Sequence, residues 1–188
     1  MYKTLIVFSY ILLLSACANP NAGVVFHDDF DFSAVKNYSL YGRNSTFSET
    51  QGLLDTRRNA IEIAIERTMA TKMFSYTTIE KADVIVTYHI FDAKHGDFSK
   101  YNKAVNFCNH CLGATTWHTD RQYSTISSGD IVLDLIDPKR NRSIWRSIYS
   151  LNIKDVENSA KTNDKIKEAI TLMLAQYPKN TISTKPSQ

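Results

Sequence analysis

The run Asp83-Val84-Ile85-Val86-Thr87-Tyr88-His89-Ile90-Phe91 constrains the fold more than any other stretch of this chain. Side chains alternate across a strand, so Val84, Val86, Tyr88 and Ile90 take one face and Ile85, Thr87, His89 and Phe91 take the other. Both faces are mostly apolar. A strand of that kind, expected over Ala82–Ala93, belongs in the middle of a sheet, because a surface strand would show one polar face.

Its neighbours are legible by the same period. Val24-Val25-Phe26 opens a strand, and Phe26, Phe30 and Phe32 share parity with Asp28, which extends it with one buried side. A second extended piece is expected over Tyr38–Tyr41. Gly129–Asp137 and Ser143–Ile153 are further strands. Asp137-Pro138-Lys139-Arg140-Asn141 between them is a turn, since Pro presets one dihedral and Asn tolerates left-handed geometry. The pair reads as an antiparallel hairpin, with Trp145, Tyr149, Leu151 and Ile153 inward.

Two segments have helical spacing instead. Leu54, Ile61, Ala64, Ile65, Thr68, Met69 and Met73 form one stripe, preceded by a capping box at Ser48-Glu49-Thr50-Gln51. Arg57, Arg58, Glu62, Glu66 and Arg67 fall mostly off it. Thr162 or Asn163 opens a last helix with Ile166, Ile170, Met173, Leu174 and Tyr177 on one face, stopped by Pro178. Two amphipathic helices laid on one face of a mostly antiparallel sheet make a two-layer α+β sandwich, a single domain over residues 24–178.

The first residues obey different rules. Lys3 is followed by an apolar run from Leu5 to Leu14, then Ser15 and Ala16, the parts of a secretory leader over residues 1–16. The run is about half of the roughly 20 residues a membrane span needs. Leu14-Ser15-Ala16-Cys17 looks like a bacterial lipobox, with Cys17 as the lipidated residue and a tether over residues 17–23. A thiol suits that step because it is the best side-chain nucleophile for making a thioether. Several acyl chains anchor a protein stably where one does not. Ala18 lacks the aspartate that retains such proteins in the inner membrane, so the expectation is an outer-membrane anchor with the domain in the periplasm. Residues 179–188 read as a disordered polar tail.

Charge excludes one class of partner. Without Lys3, one of the 22 basic residues, the other 21 nearly balance the 19 acidic ones. A nucleic-acid binder shows a basic excess clustered on one face. Nor is there a nucleophile elbow, a phosphate-cradling glycine loop or a His-Glu-x-x-His, so the chain is expected not to be an enzyme.

Four blocks in order resemble a bacterial envelope lipoprotein family known only as a domain of unknown function. They are Asp31-Phe32-Ser33 through Tyr38; Ala82-Asp83 through Tyr88-His89-Ile90; Gly129 through Asp134-Leu135-Ile136-Asp137 with Ile144-Trp145-Arg146-Ser147; and Ile166 through Gln176-Tyr177-Pro178. Val35 and Ser147 depart from the aromatic and the glycine usual there. The resemblance implies fold and location, and no reaction.

The chemistry-bearing residues concentrate between Lys94 and Ile126. Cys108-Asn109-His110-Cys111 admits three readings. One is a disulfide stapling a loop in an oxidising compartment. Another is a zinc or copper site, with Cys108 and Cys111 joined by His118 and either His110 or His95 to give four ligands. The third is a redox-active dithiol, which Leu112-Gly113 disfavours because it starts no helix. His89, with Tyr88 and Asp92 nearby, is a candidate general base or a core histidine. Lys139, Arg140, Arg142 and Arg146 form a basic cluster suited to anionic headgroups or a peptidoglycan carboxylate, or simply a solvated turn. The expected role is a non-catalytic module in the envelope, with peptidoglycan or another envelope protein as partner. The alternative is a metal- or redox-responsive periplasmic protein.

Overall fold

The computed structural model describes residues 22–43, 53–91, 98–108, 111–112, 116–119, 126–153 and 158–178. The leader, Cys17, Asp92, His95, His110 and the C-terminal tail lie outside them. In chain order the elements are β1 (Ala22–His27), β2 (Asn37–Leu40), α1 (Asp55–Thr71), β3 (Ser75–Tyr76), β4 (Val84–Ile90), α2 (Phe98–Ala104), β5 (Trp117–Thr119), β6 (Asp130–Asp137), β7 (Arg142–Ser150) and α3 (Ser159–Ala175). Single 3-10 turns sit at Phe32–Ala34 and Ile79–Lys81.

The strands form one sheet in the order β3-β2-β4-β6-β7-β1-β5. β2 pairs in parallel with β3 and β4, and the remaining pairs are antiparallel. β4 is flanked on both sides, as its two apolar faces require. Val84, Val86 and Tyr88 join Ile131, Leu133, Leu135 and Trp145 under α1 and α3. Ile85 and Phe91 join Val132, Ile136 and Ile148 on the far face. The fold is an α+β sandwich. The far face is covered too, by α2 and Val105, Phe107 and Trp117, all from the stretch whose periodicity is irregular.

Several boundaries differ from expectation for local reasons. β1 starts at Ala22, inside the expected tether, and stops at His27. Phe30 N then donates back to His27 O, and Asp31 Oδ1 accepts from Ser33 N at 3.0 Å, closing a 3-10 turn where the strand was expected to continue. Phe32 still reaches the core, edge-on to Phe26 and Tyr177. α1 has Leu54 at its N-cap with no side-chain cap, and the expected capping box lies outside the described residues. Ile61, Ala64, Ile65, Thr68 and Met69 are buried as the stripe requires. Its ends are not: Leu54 is 73% and Met73 89% exposed, because both lie beyond the helix. Met73 has a φ of 65°, which turns the chain away. Arg58, expected off the stripe, is buried and donates from Nε to Leu53 O.

α3 begins earlier than expected. Asn158 accepts from Lys161 N at 2.9 Å, a cap that satisfies a donor the helix itself cannot. Ile166, Ile170 and Met173 are fully buried. Each stabilises the fold by roughly 1.5–3 kcal/mol. β7 ends at Ser150 because Asn152 is left-handed, with a φ of 48°. The β6–β7 turn follows its sequence: Asp137 Oδ1 accepts from Lys139 N and Asn141 has a φ of 49°.

Candidate functional site

The cysteine loop leaves the end of α2 by way of Phe107. The sulfurs of Cys108 and Cys111 lie at disulfide distance, 1.98 Å, with Cα atoms 5.3 Å apart. Cys111 N donates to Cys108 O, so the two sit in one turn. Cys111 and Leu112 pack against the far-face core.

His118 is not with them. It pairs in register with Phe26 and stacks on that ring at 4.6 Å. Phe26 belongs to the core under α1 and α3, whereas Trp117, one residue earlier, points the other way onto Phe107. Strand alternation thus puts the sheet between His118 and Cys111. Among the described residues no three His, Cys, Asp or Glu side chains come together to hold a metal ion.

His89 is buried in an aromatic box, stacked on Tyr101 at 5.2 Å and edge-on to Phe91. Tyr88 faces the opposite way, where its hydroxyl donates to Glu62 Oε1 at 2.6 Å.

The basic cluster expected at the hairpin divides. Arg140 meets Asp137 at 3.4 Å, and Arg142 lies over the Trp117 ring. Arg146 is no surface residue: it and Asp134 are each 0% exposed. They stand opposite each other in the β6–β7 ladder. Arg146 Nε donates to Asp134 Oδ1 at 2.9 Å and Nη2 to Oδ2 at 3.1 Å. The carboxylate also accepts from the Tyr101 hydroxyl at 2.7 Å and from Ser143 Oγ at 2.5 Å. Arg146 Nη1 reaches Asn102 Oδ1 at 2.6 Å, and the guanidinium lies 3.6 Å from the Phe107 ring centroid. Burial and the Asp134 charge push the Tyr101 phenol well above its ordinary range, so it stays a donor. A buried pair holds only when its remaining lone pairs and protons are satisfied, and here Tyr101 and Asn102 of α2 and Ser143 of β7 supply that.

Sequence reasoning missed Asp134, Tyr101, Asn102 and Ser143. A signal existed: Asp134 interrupts the apolar series Val132 and Ile136, and Arg146 precedes Ile148 on the same face of the paired strand. One charge of each sign in two facing apolar series marks an internal pair. Asp83 is likewise structural. Its Oδ2 accepts from Lys36 N at 2.9 Å and Asn37 N at 2.8 Å, and these bonds hold the carboxyl below its ordinary range.

No curated protein matches the chain. Among solved structures it is similar to a DUF4136 family protein from Bacteroides thetaiotaomicron, at 13% identity over 82% of this chain and 94% of that one, with a TM-score of 0.54. It is also similar to a PDZ domain protein from Parabacteroides distasonis, at 16% identity over 85% of this chain and 37% of that one, with a TM-score of 0.47. At such identities the likeness to the first concerns the fold alone. The sequence profile described as "Domain of unknown function (DUF4136)" matches residues 24–179, a span that opens within β1 and closes just past α3. On that match the chain belongs to the DUF4136 family.

Proposed function

We propose that this chain is a lipid-anchored domain of the bacterial envelope, held in the outer membrane through Cys17 and facing the periplasm, where it acts as a non-catalytic binding or structural module. One observation carries the reading: Cys17 directly follows the small residues that close the leader and precedes the first strand, at Ala22, by only a short segment. A cysteine at that point of the sequence is the residue a lipoprotein leader presents for acylation. The non-catalytic part is supported by the burial of His89 and Asp134, the groups best suited to acid–base work: His89 is stacked on Tyr101, and the Asp134 carboxylate is hydrogen-bonded to Arg146, Ser143 and, from α2, Tyr101. Peptidoglycan or another envelope protein is the proposed partner. Cys108 and Cys111 are proposed to be oxidised there, stapling the end of the far-face cover.

The test is the intact mass of the protein taken from its native membranes, with and without reductant. We expect a chain starting at Cys17, heavier by a diacylglyceryl group and a further acyl chain, that gains two hydrogen atoms from the reductant. The variant Cys17→Ser should keep its leader. A mature chain without lipid, or a Cys17→Ser chain processed like the wild type, would overturn the anchor.

A further inference from the structure

The outer surface of the helix layer carries an open groove of about 300 Å3 between α1 and α3. Ala60, Ile63 and Ala64 line it from α1, and its charged residues are Arg67 from α1 with Asp164 and Lys167 from α3. Ile63 lies off the buried stripe and is 47% exposed, between two alanines too small to fill the space beside it. Arg67 and Lys167 are exposed, and neither makes an ion pair among the described residues. Two cations against one carboxylate, over an apolar floor, complement an anionic group carried on an apolar body.

The place where the chain enters the fold narrows what that body is. Ala22 O accepts from Gln176 Nε2 at 2.6 Å, so the first strand begins against the end of α3. Lys167 lies about 14 Å back along the same helix, at 1.5 Å per residue. The segment from Cys17 to Ala22, fully extended, spans about 17 Å. An anchor at Cys17 therefore holds the helix layer within reach of the bilayer surface.

We infer that the groove between α1 and α3 seats the headgroup of an anionic phospholipid in the membrane that holds Cys17, with the phosphate between Arg67 and Lys167 and the glycerol on Ile63, Ala60 and Ala64. This rests on the lipid-anchor reading above. The helix layer then faces the bilayer, and the opposite side of the sheet, with α2 and the cysteine turn, faces the periplasm. Each cation near an anionic surface strengthens attachment about five-fold, and the attraction fades beyond roughly 8 Å at physiological salt.

The test uses the acylated chain in vesicles of phosphatidylethanolamine with phosphatidylglycerol, or of phosphatidylcholine alone. The lipids are brominated near the glycerol. Ile63→Trp introduces an indole in the groove, and Lys139→Trp places one at the β6–β7 turn. The native Trp117 and Trp145 are buried, 7% and 0% exposed, and supply a low background. We expect about two-fold quenching at position 63 in the anionic vesicles, little in phosphatidylcholine, and none at position 139. Adding Arg67→Glu and Lys167→Glu should abolish it while the protein still floats with the vesicles. A chain that floats with an unquenched indole at position 63 overturns the groove assignment and leaves the anchor standing. A chain that does not float overturns both. A photo-crosslinker at position 63 that captures a protein rather than phospholipid in whole envelopes also overturns the assignment.

Discussion

Asp134→Ala removes a carboxylate that accepts four hydrogen bonds, two from Arg146 and one each from Tyr101 and Ser143. It leaves the Arg146 guanidinium at 0% exposure with no counter-charge. Breaking a buried pair from one side costs about 3–5 kcal/mol, because the partner stays buried and uncompensated. Set against a total stability of roughly 5–15 kcal/mol for a domain, that is a large fraction. For a chain of this size it corresponds to a fall in Tm of about 6–20 °C, or roughly 1–3 M in the urea midpoint. The assay is equilibrium urea unfolding followed by far-UV circular dichroism. The double variant Asp134→Leu with Arg146→Met should recover most of the loss, since apolar replacement of both partners is often neutral. The Phe107 and Tyr101 rings already face the Arg146 position and can pack on a methionine. A single-variant loss below about 1 kcal/mol would mean that the charges are solvated and the reasoning wrong. A double variant costing the sum of both singles would refute the coupling.

Alkaline pH should destabilise the fold through tyrosine. Burial first, then Glu66, pushes Tyr38 up to about 12, and burial with neighbouring carboxylates also raises Tyr88, Tyr101 and Tyr177. The unfolded phenol ionises near 10, so this stability is intact below about 10 and drains away as pH climbs towards 12. The urea midpoint should fall between pH 9 and pH 11, and a flat midpoint would contradict it. Asn158→Ala removes the α3 cap and should cost about 1 kcal/mol in the same assay, with Asn158→Asp close to wild type. Replacing Cys108 and Cys111 together by Ser should cost about 2 kcal/mol, the value for so short a loop. The acylated, oxidised chain, once unfolded, should show no reactive thiol, because Cys17 is then a thioether, and two would refute the staple.

Periodicity by itself determined the frame. Alternation in β4 identified an interior strand, and the spacing of Ile166, Ile170 and Met173 identified a buried helical face. Both are repeats of one side-chain property at one step, which needs no knowledge of the partner. The ends of elements were less legible, because single local bonds decide them: Asp31 to Ser33 at the end of β1, and Asn158 to Lys161 at the start of α3. The sequence also placed Cys108 and Cys111 near each other by separation alone. Tertiary structure alone decided what lies across a sheet or between distant segments. It put His118 on the opposite face from Cys111, and it brought Asn102, Tyr101 and Phe107 from the irregular stretch onto Arg146. It turned an arginine that read as part of a surface patch into a buried ion pair. A charge on an isolated strand is equally compatible with water and with a counter-charge, and only strand register chooses between them.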